Sequence, residues 1–397
     1  MSPSTVESEL TTAEQATRRL RRRLERLLGV AATEGNAVEP LTNGDEIFPA
    51  MLDAIENAEN TIDMMTYVYW RGDIATRFAA ALAERAAAGV RVRLLLDGLG
   101  ARLIERDLLN DMEKAGVAIQ WFRKPIYVSP FKQNHRCHRK VLIVDEDVAF
   151  TGGVGIAEEW SGDARDESEW RDTHFRVRGP AVDGIAAAFA QNWSECCSDL
   201  FDDRDRFDEQ EQVGNAIVQV VRGSASLGWQ DMQTLLRVVL SSAQERIRIT
   251  TAYFSPDDFF LNELCECAKR GVKVEVLVPG PNIDKRVSRL GSQRHYEQLL
   301  ECGVEVRQYM PTMLHAKIIT MDGIASLIGS TNFNRRSLDH DEEITLAVLD
   351  RELTARLDAD FDRDVERAER IDLARWKRRP VLQRAAEQSI SPIRRFL

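Results

Sequence analysis

The 397-residue sequence has no uninterrupted apolar run near the roughly 20 residues that a membrane-spanning helix requires. Its first residues lack the compact apolar segment of a secretory signal. Cysteine is scarce: Cys137, Cys196, Cys197, Cys265, Cys267 and Cys302 contain no C-x-x-C pair of the kind that holds structural zinc, so they read as reduced thiols. Positive charge is also in deficit. A formal net charge of −11 weighs against a nucleic-acid partner held through a broad basic surface. What these absences leave is a globular, cytoplasmic protein, for which 44% hydrophobic and 29% charged residues are ordinary. The average hides two basic ends: Arg18, Arg19, Arg21, Arg22, Arg23 and Arg26 crowd the first, and Arg375, Lys377, Arg378, Arg379, Arg384, Arg394 and Arg395 the second.

What is present is a short pattern written twice. His138-Arg-Lys140-Val-Leu-Ile-Val-Asp145 and His315-Ala-Lys317-Ile-Ile-Thr-Met-Asp322 each give a histidine, a spacer, a lysine, four mostly apolar residues and an aspartate. The text downstream matches too, Thr151-Gly152-Gly153 against Ile328-Gly329-Ser330. The apolar run from Val141 to Val144 is β-branched or aliphatic and short, which predicts a buried strand. On a strand, residues two apart share a face, so histidine and lysine point one way while the aspartate, seven positions on, points the other. The histidines and lysines make the candidate site, and Asp145 and Asp322 support it from behind.

The surrounding text is organised around this duplication. Residues 12 to 28 read as a helix with Leu20, Leu24, Leu27 and Leu28 on one stripe and arginines around the rest, a pattern that suits either a membrane surface or packing on the protein itself. From about Val38 a helix (43–55), a strand (61–70), an alanine-rich helix (74–88) ending at Gly89 and a strand (90–96) imply a parallel crossover. A second strand (246–254), helix (261–270) and strand (271–278) repeat that layout at an offset of about 177 to 186 residues, the size of a domain. The expectation is an α/β protein of two similar lobes, residues 38–201 and 216–372, related by pseudo-twofold symmetry, each with a mixed, largely parallel sheet flanked by helices. An amphipathic segment (1–37) precedes them, an acidic connection (202–215) joins them and a basic tail (373–397) follows.

With both motifs in place, the sequence resembles the phospholipase D superfamily, the class marked by duplicated H-x-K-x-x-x-x-D motifs. Tyr253-Phe254-Ser-Pro256, Lys269-Arg-Gly-Val-Lys-Val274, Pro279-Gly280 with Asp284, Trp170-Arg-Asp172-Thr-His174 and Gly329-Ser-Thr-Asn332 extend the resemblance to bacterial cardiolipin synthases of the shorter, peripheral type. It implies that His138, Lys140, Asp145, His315, Lys317 and Asp322 form the catalytic set. It also implies that Gly153, Ser330 and Asn332 meet the substrate and that Asp172 and Glu343 orient the histidines. One departure is Gly155, which stands where Asn332 stands in the second copy.

The residue types suit attack on a phosphodiester, which needs a nucleophile, positive charge for the developing anion and a proton for the departing alkoxide. By analogy with the superfamily His138 is the nucleophile and His315 the general acid, while near-symmetry keeps the reverse open. Lys140, Lys317 and Asn332 hold the nonbridging oxygens, and the reaction is expected to use no metal or other cofactor. The expected partners are a phospholipid, phosphatidylglycerol first among them, and an anionic membrane surface on the inner face of the cell membrane, met through the basic termini. The acceptor alcohol stays open between a second lipid, which gives cardiolipin, and water, which makes a hydrolytic phospholipase D. A nuclease and a nonenzymatic lipid-binding scaffold are the remaining readings. Outside the motifs, His135 reads as locally hydrogen-bonded, His174 as a satisfied core residue, and His295 and His340 as surface.

Overall fold

A computed structural model describes residues 12–124, 135–199, 208–224 and 230–380. Within the acidic connection, residues 202–207 lie outside that range, as do Arg384, Arg394 and Arg395 of the basic tail. The first lobe contributes β1 (Thr33–Thr42), β2 (Thr61–Thr66), β3 (Arg91–Asp97), β4 (Ala118–Phe122), β5 (Val141–Val144), β6 (Val148–Gly152) and β7 (Thr173–Arg178). The second contributes β8 (Ala216–Gly223), β9 (Arg246–Thr250), β10 (Lys273–Pro279), β11 (Glu305–Tyr309), β12 (Ile318–Met321), β13 (Ala325–Gly329), β14 (Glu343–Leu349) and β15 (Ala368–Arg370).

These strands form one sheet in the order β15-β11-β10-β9-β12-β13-β14-β8-β1-β7-β6-β5-β2-β3-β4. Read outward from the β1–β8 junction, the two halves carry the same sequence of roles. In each, the β-α-β crossover gives three parallel strands, β2-β3-β4 and β9-β10-β11. The motif strands β5 and β12 join these antiparallel and lead through β6-β7 or β13-β14 to the junction. The parallel order thus covers the outer part of each lobe, and an antiparallel meander carries the motifs.

Fully buried β2, β3, β5, β12, β13 and β14 run between layers of helix and leave neither face to solvent. Each lobe has its own outer core, and a third core is common to both, with Phe175, Ile185 and Val218 packed together with Ile318, Ile328 and Leu353. This shared core fixes the lobes against each other along the line where the motifs lie.

The helix Thr12–Leu28 sets its stripe against the second lobe: Leu20, Leu24 and Leu28 join the core around Leu235, Val239 and Leu264, while Leu27 stays 58% exposed. Arg23 donates to Ser241 and Ser242 at the rim of that contact. Of the two partners that the sequence left open, the apolar face takes the protein itself. The described part of the tail does the same. Trp376 packs on Tyr296 at 5.3 Å, and Lys377 and Arg379 pair with Glu301 and Glu297.

Two sequence expectations are corrected here. Cys265 and Cys302 are not free thiols but a disulfide, because the helix Asp258–Lys269 packs beside the segment after Tyr296–Glu301 and brings their Cα atoms to 5.4 Å. His295 is not at the surface but buried, where the chain passes from the helix Arg286–Gln293 into Tyr296–Glu301. His174 is in the core as expected, though its Nδ1 has no hydrogen-bond partner.

Candidate active site

The segments that lead into the two motif strands lie at the lobe boundary, where short bridges from the opposite lobe hold them. His138 N donates to Glu342 O (2.9 Å) and Glu342 N donates to Arg136 O (2.8 Å). In the other half, His315 N donates to Arg171 O (2.7 Å) and Arg171 N to Met313 O (2.9 Å). Each histidine is therefore strapped to the segment that carries the other lobe's acidic residue.

That exchange decides which carboxylate serves which ring. His138 Nδ1 lies 3.0 and 3.1 Å from the two carboxylate oxygens of Glu343, and His315 Nδ1 lies 2.8 Å from Asp172 Oδ2. Facing an ionised carboxylate, Nδ1 carries the proton, which leaves the Nε2 lone pair free. Asp172 is held in turn by Trp160 Nε1 (2.9 Å) and by the backbone N–H of Thr173 (2.8 Å), and Glu343 accepts from the Ser330 hydroxyl.

Both rings line one cleft of about 360 Å³ together with Lys140. Trp160 and Trp170 stand 5.2 and 5.4 Å from the His315 ring and Tyr67 5.2 Å from the His138 ring, so the walls are aromatic. The histidine side chains are 12% and 6% exposed. Lys140 Nζ donates to His138 O (2.7 Å), and Lys317 Nζ lies 2.9 Å from His315 Nδ1 and also donates to the His315 carbonyl.

Burial of so much charge in one place shifts the two histidines, the two lysines and both carboxylates behind them. Desolvation, then the nearby lysines, holds His138 well below the usual imidazole range, and desolvation with Lys317 pushes His315 down to about 3. Desolvation pushes Lys140 down to about 8 and Lys317 to about 7, against the pull of Glu343 and Asp172. The carboxylates part company. Burial opposes ionisation of both, but His315, Lys317 and Trp160 outweigh it at Asp172, which stays below its ordinary value; at Glu343 burial outweighs Lys140 and Ser330 and pushes it up to about 7.

The other expected site residues sit elsewhere or do something else. Asp145 and Asp322 lie at the far end of four-residue strands, roughly 13 Å of chain from the cleft. Each opens a two-residue turn whose residues have positive φ, Asp145 (52°) with Glu146 (60°) and Asp322 (51°) with Gly323 (64°). The Asp145 carboxylate accepts the N–H groups of Glu59, Asn60 and Thr61, and Asp322 those of Gln244, Glu245 and Arg246. They belong to the corner that starts β2 or β9, behind the site, on the side where strand parity puts them. The Ser330 hydroxyl donates to the Glu343 carboxylate. Gly153 is a glycine because a Cβ there would stand 2.2 Å from Asp172 Oδ1. Asn332 is buried with its amide oxygen unpartnered, and Gly155 has no room to match it, because a Cβ would meet Val68 at 2.6 Å.

The aromatic walls were not assigned from sequence. Tyr67 and Tyr253 come from loops just beyond β2 and β9, where the predicted strands (61–70 and 246–254) ran on too far. His135 is locally bonded, with Nδ1 3.0 Å from His340 O, and His340 is half-buried beside it.

The family model described as "Cardiolipin synthase, PLD-like domain" matches residues 51–177 and 236–365. The chain belongs to this family. Cardiolipin synthase 1 of Bacillus cereus is 32% identical over 379 residues, covering 92% of this chain and 74% of that protein. A cardiolipin synthase of Geobacillus kaustophilus is 31% identical over 352 residues, 87% of this chain and 70% of that protein. In fold the chain matches a phosphatidylserine synthase of Haemophilus influenzae with a TM-score of 0.71 at 14% identity, over 95% of this chain and 98% of that one. This cardiolipin synthase relative is thus an enzyme, a phosphatidyltransferase of the phospholipase D superfamily. Among the described residues no helix is long and apolar enough to cross a membrane.

Proposed function

We propose that the chain moves a phosphatidyl group from phosphatidylglycerol, through a phosphohistidine, to the hydroxyl of a second phosphatidylglycerol, giving cardiolipin and glycerol. One observation carries this reading: two imidazoles, each with Nδ1 against a buried carboxylate, line a single cleft with a lysine beside them.

In the first step His138 Nε2 attacks phosphorus, the P–O bond to glycerol breaks, and His315 gives its Nε2 proton to the leaving alkoxide. In the second, the acceptor hydroxyl gives its proton back to His315 as its oxygen forms the new P–O bond and the N–P bond breaks. Lys140, Lys317 and the Asn332 amide meet the nonbridging oxygens. An entering phosphate anion pairs with the lysines and reverses the push that holds His315 down in the empty cleft. The unequal carboxylates favour this division of roles: Asp172, fully ionised, supports an imidazolium at His315, while Glu343, pushed up to about 7, leaves His138 the weaker base and neutral.

An activated diester with a p-nitrophenolate leaving group tests the assignment, because that group needs no proton. His315→Ala should still form a trappable phosphoenzyme and His138→Ala should not; the opposite result reverses the roles. Labelled phosphatidylglycerol supplied alone tests the acceptor. Cardiolipin with glycerol is expected, and phosphatidic acid as the main product would make the enzyme hydrolytic.

A further inference from the structure

We infer that the mouth of the cleft is itself the surface that docks on an anionic lipid bilayer, through Leu99 and Leu103 on one wall and Val287 beside Lys285 and Arg286 on the other. This rests on the reading of the substrate as a phospholipid. The two histidines are recessed, and a cleft of about 360 Å³ lies at the small end of pockets that hold a small-molecule ligand, enough for headgroups and not for acyl chains. The chains stay in the membrane, so the mouth has to meet it.

Single exposed leucines mean little on a protein surface. Their placement here means more. The large hydrophobic side chains exposed among the described residues are Leu27, Leu99, Leu103, Val213, Phe259 and Val287. Leu99 (40%) and Leu103 (38%) border the cleft, and Val287 (40%) follows two residues after Lys285, which borders it from the other side.

The wall that presents the leucines is built to hold them out. Asp97 Oδ1 accepts the N–H groups of Leu99 and Gly100, both at 2.9 Å, and Trp70 Nε1 donates to Gly100 O at 2.8 Å. Ala101 and Ile104 point inward and are buried, so Leu99 and Leu103 face out of a fixed turn. Asp97 is anchored to Arg136 at 2.8 Å, two residues before His138, so the wall and the nucleophile share a foundation.

Charge complements the apolar tips. Arg102 stands between the leucines, and Lys285 and Arg286 stand opposite; none of the three is paired with a carboxylate among the described residues. Glu105 and Asp107 offset the first wall, so the cationic excess belongs to the second, where the Asp284 carboxylate is taken by the Tyr253 hydroxyl at 2.8 Å. Apolar tips with flanking cations are what an anionic interface binds. The N-terminal helix offers the charge without the apolar face, which its own second lobe covers.

Sedimentation of the full chain with phosphatidylglycerol vesicles, against phosphatidylcholine vesicles, reads the surface directly. Leu99→Asp with Leu103→Asp, and Val287→Asp separately, should each weaken binding to the anionic vesicles by about tenfold or more. Val287→Asp should also slow turnover on vesicles while leaving turnover of a dispersed short-chain phosphatidylglycerol within about twofold of the parent. Arg18→Glu with Arg22→Glu and Arg26→Glu should cost less vesicle binding than either rim variant. Unchanged vesicle binding by both rim variants, or a larger loss from the helix variant, overturns the docking surface while short-chain turnover keeps the functional reading intact. Absence of lipid turnover by the parent chain in either form overturns the functional reading, and with it the argument for this docking surface.

Discussion

The two histidines share a cleft but not a chemical setting, and the difference lies in single atoms behind them. Glu343, pushed up to about 7 chiefly by burial, is ionised above that pH, so its hold on the His138 Nδ1 proton weakens as pH falls through 7. Lys317, pushed down to about 7 chiefly by burial, is charged below that pH, so the grip on phosphate proposed for it weakens as pH rises through 7. The two limbs predict a bell-shaped kcat/KM centred near 7, with apparent values belonging to the coupled cluster. Glu343→Gln should remove the acid limb and lower kcat/KM on the order of 10²–10⁴-fold, as a pH-rate profile would show. Tungstate, an inert phosphate mimic, should bind with proton uptake near pH 8, because it restores charge to Lys317 and Lys140; calorimetry in buffers of different ionisation enthalpy measures that uptake. Gly153→Ala places a methyl on the Asp172 carboxylate, so loss of turnover should accompany a fall of about 1–3 kcal/mol in the unfolding free energy measured in urea.

Among the elements, the four-residue motif strands β5 and β12 carry two jobs at opposite ends. The histidine and lysine of the cleft stand at the start, and the aspartate at the end ties the turn to the first N–H groups of β2 or β9. Asp145→Asn and Asp322→Asn should therefore each lower the unfolding free energy measured in urea by about 1–3 kcal/mol, while the pH-rate profile keeps its shape. Leu24→Ala removes a buried side chain from the helix that covers the second lobe and should cost roughly 2 kcal/mol in the same measurement. Strand parity was enough to read the aspartates as lying behind the site, because a period of two needs no tertiary information. It was not enough to end β2 at Thr66 and β9 at Thr250, since Tyr67 and Tyr253 are as fit for a strand as for the cleft wall they form. The Cys265–Cys302 pairing was illegible for a related reason: it depends on two helical segments lying side by side, which no local spacing records.

For the molecule as a whole, duplication was legible and the exchange across it was not. Two copies of one pattern at a domain-sized offset announced two lobes, and the residue types announced phosphodiester chemistry. Nothing in the text told whether Asp172 would face the histidine of its own lobe or of the other, because that depends on which chain segments bridge at the boundary. The exchange predicts that residues 12–199 and 208–380, expressed apart, are inactive, since each keeps a histidine without its carboxylate. Turnover by either piece alone would contradict the pairing, and recovery on mixing would measure how well the shared core reassembles. The same exchange sets a timetable during synthesis. A nascent chain that has finished its first lobe has His138 in place but no Glu343 behind it, so the paired centre cannot assemble before the second lobe has been made. Activity arrives in one event, late, when the last meander of the second half closes on the first.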